Sequence, residues 1–338
     1  MPTVADPART APSGVVRAQS ARRVSGGRLA AAWLVRQVAQ AVLVLWGAVT
    51  VTFLALTLVK GDPVLAITGP SQVSPQVRAQ IIADYHLDDS ALSRYGSYLG
   101  HLVRGDLGTS YALRQSVSSA IGQQLLPTVE LLVSSVVVAF LVAIVVSLLT
   151  ANRRRRWLRS ASSAIEVVLV SIPTFWFGIL LLAVFSFGLK WFPSVGSSGI
   201  SSLVLPVIAM ASAPAAIFTQ VLREGLEKVS EEPFVVTART RGLSESAVLV
   251  RHVLRHAILP LVTLSGWIAG ALISGAVVVE QVFSRQGLGR LLVNALGARD
   301  FPLIIGITLV AALFYVVINI AIDALYQWLD PRLRKATA

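Results

Sequence analysis

A chain of 338 residues that is 55% hydrophobic and only 14% charged, with a mean hydropathy of +0.72, lies outside the range of soluble globular domains and reads as a membrane protein. The net charge of +12 fits nucleic acid, anionic lipid or topology-setting loops, and where the cations fall decides among these. The absence of cysteine excludes disulfides, thiolate chemistry and Cys-ligated zinc or iron-sulfur centres.

Residues 1–32 are rich in Ala, Pro, Ser, Gly and Arg without an apolar period, the composition of a disordered tail. The apolar run that follows is longer than the core of a secretory signal and lacks a small-residue cleavage site at its far end. Residues 33–59 therefore read as an uncleaved first span. A helix rising about 1.5 Å per residue needs roughly 20 apolar residues to cross about 30 Å of hydrocarbon. Runs of that length cover Gln37–Val59, Pro127–Thr150, Ala164–Leu189, Leu203–Leu222, Ile258–Glu280 and Pro302–Tyr326. None alternates with the period of a barrel strand, and backbone groups in lipid must be satisfied internally, so all are expected to be helices. The predicted fold class is an all-α membrane protein, a polytopic bundle of about six transmembrane helices.

Residues 60–126 are too many for a simple connector and predict a small helical extracytoplasmic subdomain. Gly61, Asp62 and Pro63 end the first span, a role that chain geometry alone accounts for. Ser74 and Pro75 open a helix through QVRAQIIADYHL, and SALSRYGSYLGHLVRG gives another that closes near Gly105. His86 and His101 are isolated there, with no serine and acid arranged for nucleophilic catalysis.

The core, residues 127–328, carries the other five spans, and residues 329–338 form a C-terminal tail. Pro173 and Pro214 interrupt two of these spans, either as packing kinks or as breaks lining a cavity. Gly266, Gly270 and Ser274 recur at steps of four and read as a helix-packing seam, with substrate contact as the alternative. The ionisable residues Glu130, Glu166, Glu280 and Asp323 fall near span ends, which argues against a proton relay at bilayer depth. With the N-terminus placed inside, more than two thirds of the Lys and Arg lie on the cytoplasmic side, so both termini are expected there. The run NRRRRWLRS is then a topology anchor. It lacks the aromatic stacking platform that nucleic-acid binding uses, so no nucleic-acid partner is expected.

No GxxxxGK[ST] phosphate loop occurs, and QGLGRLL, from Gln286, lacks the third glycine and preceding strand of a dinucleotide site, so it reads as a turn. No catalytic residue is assigned. His252 and His256 have metal-ligand spacing, but Arg251 and Arg255 flank them and no carboxylate stands at a ligating position, so no metal is expected. The polar loop 223–257 is distinctive. Ser230 is placed to cap a helix, Glu231 and Glu232 suit its positive end, and Pro233 fits its first turn. FVVTARTR continues it, Gly242 supplies a left-handed turn, and Ser244 caps a second helix that leads into the fifth span. Ala238, at the middle of the first helix, is small enough to enter a cleft on another protein. An amphipathic helix resting on headgroups is the plainer alternative.

This loop resembles the cytoplasmic coupling loop, or EAA loop, of ABC importer permeases, whose pattern is Glu-Ala-Ala, three residues, Gly and later Leu-Pro. Ala238 and Gly242 match, with Leu259 and Pro260 as the closing pair; Val236 and Thr237 replace the first two letters, and Gly242 lies farther from Pro260 than in the general pattern. TARTRGLSESAVLVRHVLRHAILP is similar to the variant of the dipeptide and oligopeptide branch. GDP at Gly61, GDLGTS from Gly105, LLPTVEL from Leu125, SIPTFWFGILL from Ser171, VVVEQVFSRQGLGRLLVNAL from Val277 and DPRLR from Asp330 follow in that branch's order. The likeness covers nearly everything after the N-terminal tail.

The resemblance implies a transmembrane subunit that is not itself an enzyme, forming half of a path for dipeptides or oligopeptides across a prokaryotic inner membrane. Its implied partners are a second homologous permease subunit, cytoplasmic ATPase subunits or domains, an extracytoplasmic peptide-binding protein and membrane lipid. ATP and Mg would be bound by the ATPases, with no cofactor on this chain. Thr237, Ala238, Arg241 and Gly242 are the implied coupling residues, and no substrate-binding residue is assigned. A permease of the same branch importing nickel or another small solute is the alternative within this class. A membrane-embedded enzyme or a permease-like sensor are alternatives outside it.

Overall fold

A computed structural model describes residues 26–58, 64, 68, 73–84, 88–151, 156–196 and 199–329. The predicted tail as far as residue 25, the span end at Gly61, Asp62 and Pro63, His86, the anchor arginines Arg153–Arg155 and the C-terminal residues 330–338 lie outside them. Every named element among the described residues is helical, and an isolated bridge joins Thr109 to Ser116.

The first long helix, α1 (Gly26–Leu58), is followed by α2 (Pro75–Asp84) and α3 (Ala91–Val103). Ser74 caps α2 by accepting from the Val77 amide at 3.3 Å, and Ser90 caps α3 by accepting from Ser93 at 3.2 Å. Gly105, at φ +78°, turns the chain after α3, as expected. Tyr95 holds α3 to α1, its hydroxyl 2.6 Å from that of Thr50 and its ring 5.2 Å from Phe53.

The second span starts earlier than its apolar run. Ser116 caps α4 (Val117–Thr150), so residues 117–126 are the first turns of the spanning helix and Pro127 lies inside it. Ser135, Ala139, Ala143 and Ser147 form a fully buried small-residue stripe down α4. They let it approach α7 (Ser201–Ser230), where Phe140 stacks on Phe218 at 4.5 Å and the Ser147 hydroxyl donates to the Thr219 carbonyl at 3.0 Å. The opposite stripe, Val133, Val137, Leu141, Val145 and Leu149, is exposed and aliphatic, as a hydrocarbon-facing surface requires.

The expected third span, Ala164–Leu189, is not one straight helix. It is α5 (Arg156–Ser171) and α6 (Thr174–Leu181), bent by 106°, with a π-helical turn at Leu182–Gly188. The break falls at Pro173, which has no amide hydrogen to continue α5 and stands with an extended ψ of 133° at the head of α6, while its ring disfavours helical backbone at the residue before it. Pro214 behaves differently: together with Pro206 it sits inside the unbroken helix α7, which runs eight residues past the expected end at Leu222.

After α7 come α8 (Pro233–Thr240), α9 (Glu245–Val248), a π-helical turn at Leu249–Val253, α10 (Leu254–Ala257) and α11 (Leu259–Val282). The short α12 (Leu288–Gly297) and the long α13 (Phe301–Leu329) complete the chain. Among the described residues five helices are long and apolar enough to cross a membrane. The bent pair reaches both ends of the bundle, as a sixth crossing requires. Glu227, near the end of α7 that leads into α8, pairs with Arg159 on α5, whereas Gly178 on α6 packs against Phe283 just past the opposite end of α11.

Side-chain contacts also orient the terminal helices. Gln37 of α1 donates to Asp323 of α13 at 2.9 Å, which sets the two antiparallel with their chain-terminal ends together. Gly266, near the start of α11, lies against Asn319 and Ile322, so those ends share the side that carries α8.

Candidate functional site

The helix pair on that side is built as its sequence dictates, with two exceptions. Ser230 does not cap α8: it is still the last residue of α7, its hydroxyl donating back to the Leu226 carbonyl at 2.6 Å, and extended Glu232 precedes α8 instead. Pro233 occupies the first turn, where its missing amide hydrogen costs nothing. The turn forms as expected, Gly242 adopting φ +81° and donating to the Arg239 carbonyl at 3.0 Å. The Ser244 hydroxyl then accepts from Ala247 at 3.4 Å to start α9.

The second exception concerns Ala238. It is only 7% exposed and belongs, with Val235, Val248, Val253 and Leu226, to the chain's own buried cluster. Its small side chain therefore lets α8 seat on the returning arm and offers no protrusion for another protein's cleft. That arm is itself seated closely on α7, where a Cβ added to Gly225 would meet the Ala257 carbonyl at 2.9 Å.

The exposed residues of α8 include Phe234, Val236, Thr237, Arg239 and Thr240, with Arg241 exposed just past its end. Arg239 is tied to Glu245 at 2.8 Å, whereas Arg241, Arg251 and Arg255 have no ion-pair partner among the described residues. Phe234 packs its ring 5.2 Å from His256. Of the residues singled out in sequence, Thr237, Arg241 and Gly242 thus lie on one exposed surface, with Ala238 directly beneath. An apolar, cationic ridge of this kind complements an acidic cleft with hydrophobic walls.

His252 and His256 share the returning arm, and no cluster of three potential metal ligands occurs among the described residues. In the Gly266, Gly270 and Ser274 series, the two glycines face α13, at Asn319 and Tyr315 respectively, but Ser274 is exposed.

Polar junctions that the sequence reading did not pair lie at both ends of the bundle. Beneath α8, buried Arg223 of α7 pairs with buried Glu166 of α5 and reaches Thr150 of α4 at 3.4 Å, and Arg159 pairs with Glu227 at 2.6 Å. At the opposite end Glu280 is fully buried. It accepts from Thr128 at 2.6 Å and from the amides of Gly289 and Arg290 at 2.8 and 3.1 Å, at the N-terminus of α12. Asp300, also fully buried, accepts from Ser110 at 2.5 Å and Ala112 at 3.1 Å and caps α13 through Leu303 at 3.3 Å. Only Asp300 carried a local signal, as a capping residue ahead of Pro302; the others pair residues distant in sequence.

Comparison with known proteins places these features in context. A family model described as the binding-protein-dependent transport system inner membrane component matches residues 143–335. A protein of Brucella abortus (strain 2308) named as a peptide transport system permease is 35% identical over 311 residues, covering 90% of this chain and 99% of its own length. The glutathione transport system permease protein GsiC of Salmonella typhimurium (strain LT2) is 36% identical over 282 residues, 83% of this chain and 92% of its own. A similarly named peptide permease of Brucella suis biovar 1 (strain 1330) is 35% identical over 309 residues, with 89% and 98% covered.

Proposed function

The chain belongs to the family of binding-protein-dependent transport system inner membrane components, and from that premise we propose that it forms half of an import path for dipeptides or oligopeptides. It is a transport subunit and not an enzyme. The observation that carries the substrate class is identity running over 90% of the chain to a relative named for peptide transport and over 83% to one named for glutathione transport, glutathione itself being a tripeptide.

In this reading a second homologous permease completes the path and an extracytoplasmic binding protein delivers the peptide. Cytoplasmic ATPases bind ATP and Mg, since this sequence has no phosphate loop. The α8 side faces the cytoplasm and both termini lie there, consistent with the cation distribution. In chain order α1 is the first span, the extracytoplasmic subdomain ends before Val117, and α4 to α13 form the permease core with its coupling loop 223–257. Thr237, Arg241 and Gly242 meet the ATPase, and Ala238 holds the helix they stand on. Closure of the ATPases moves α8, and the buried pair Arg223 and Glu166 carries that motion into α7, α5 and α4 as one body.

The test is uptake by the complete complex in proteoliposomes, supplied with labelled dipeptide, glutathione or nickel(II). Accumulation of peptide that requires ATP and Mg supports the reading. Accumulation of nickel(II) without peptide would replace it with the small-solute alternative.

A further inference from the structure

The outward faces of α4 and α11 differ in chemistry. On α4 the stripe from Val133 to Leu149 is aliphatic throughout. On α11 the outward face is Thr263, Trp267, Ala271 and Ser274. Trp267 is 66% exposed and lies about 12 Å along the helix from its start, inside the hydrocarbon zone and away from the interface that tryptophan favours.

Beside this face α13 lays two more polar groups. A Cβ at Gly270 would sit 3.2 Å from the Tyr315 ring, and one at Gly266 would sit 3.0 Å from Asn319 Oδ1. The two glycines thus admit α13 closely enough to bring a phenol and a carboxamide alongside Trp267. Asn319 donates from Nδ2 to the Tyr315 carbonyl at 2.7 Å and keeps its amide oxygen toward α11. Ser265, Thr219 and Thr308 return their hydroxyls to carbonyls four residues earlier; among the described residues Thr263 and Ser274 make no such bond.

Polar groups at bilayer depth belong against a bundle interior or a wet path, because hydrocarbon offers them no partners. A permanent subunit contact would have to fix a partner for each one. A wall along which a solute moves needs the opposite, several neutral groups that bind weakly and release. This set has donors and acceptors without charge, the complement of a peptide amide, and its two aromatic faces suit apolar side chains.

We propose that Thr263, Trp267, Ser274, Tyr315 and Asn319 form a wall of the transport path that contacts the amide groups and apolar side chains of the passing peptide. The assignment rests on the peptide-import reading. The chain has no cysteine, so single-cysteine variants report without further substitution. S274C, T263C and, as a lipid-facing control, V137C are introduced into the complete complex in proteoliposomes. Each is treated with a charged, water-soluble methanethiosulfonate in each nucleotide state, and labelling is read from the mass of this chain.

In at least one state S274C and T263C should react about tenfold faster than V137C, and alanyl-phenylalanine with its binding protein should slow S274C severalfold. W267A and the double variant Y315F/N319V should raise the KM for dipeptide uptake about tenfold, whereas V137A on the lipid-facing stripe should leave it unchanged. S274C as unreactive as V137C in every state would overturn the proposal in favour of lipid. Labelling only after the permease subunits are separated would overturn it in favour of a subunit contact. Labelling of S274C in a complex that carries no dipeptide would remove the peptide as occupant, through failure of the import reading and not of the wet wall.

Discussion

Glu166 on α5 and Arg223 on α7 form an ion pair in which both side chains are buried, 5% and 6% exposed. Removing one partner strands a desolvated charge, which costs about 3–5 kcal/mol, whereas replacing both with apolar residues is often neutral. E166Q and R223M are each expected to lower the thermal unfolding temperature of the detergent-solubilised protein sharply. The double variant E166L/R223M should recover most of that loss, yet transport should fall in all three, because the double variant restores packing and not the tie to Thr150.

The Glu280 carboxylate fills the space that a side chain at residue 287 would need. A Cβ on Gly287 would lie 2.2 Å from it, although the residue's φ of 164° is extended backbone open to any residue type. A Cβ on Gly289 would lie 2.3 Å from the Val277 Cα. G287A can relax by displacing a carboxylate, at the cost of leaving it buried with fewer donors. G289A must move backbone and should be the more severe, by about 1–3 kcal/mol, in thermal unfolding of the two variants side by side.

The spans were legible because apolar run length is a local property, as were the caps at Ser74 and Ser244 and the turn at Gly242. Helix ends were less so. α4 begins at Val117 and α7 runs to Ser230 because packing and capping extend a helix past its apolar stretch. Pro173 and Pro214 look alike in sequence, yet the first stands at a 106° break and the second inside a continuous helix. The side to which Ala238 turns depends on how the returning arm packs against α7, a contact between residues that no local pattern ties together.

Gly242 holds φ +81° with open space around its Cα. An added methyl meets no neighbour, so the whole effect of G242A is backbone strain of about 1 kcal/mol. The expected outcome is a small drop in unfolding temperature together with a larger loss of ATP-driven uptake, since the angle between α8 and α9 is what presents Arg241. Equal proportional losses in the two measurements would show the turn to be structural only.

Arg241 and Ala238 separate docking from support. Arg241 is exposed and caps the end of α8 without an ion-pair partner among the described residues, so R241A should leave thermal unfolding within about 0.5 kcal/mol of the parent. If it meets an acidic group on the ATPase, affinity for the isolated ATPase subunits should fall about tenfold or more, with a reduced salt dependence. Ala238 is buried against Val235 and Val248, so A238L overpacks that contact and costs about 1–3 kcal/mol before any partner is present. Thr237, exposed one residue earlier with its hydroxyl bonded to the Pro233 carbonyl at 3.2 Å, should behave as Arg241 does. A variant set in which A238L binds the ATPase normally and unfolds normally, while R241A destabilises the chain, would reverse the assigned roles. Binding measured by light scattering or calorimetry beside unfolding of the same preparations distinguishes the two orders.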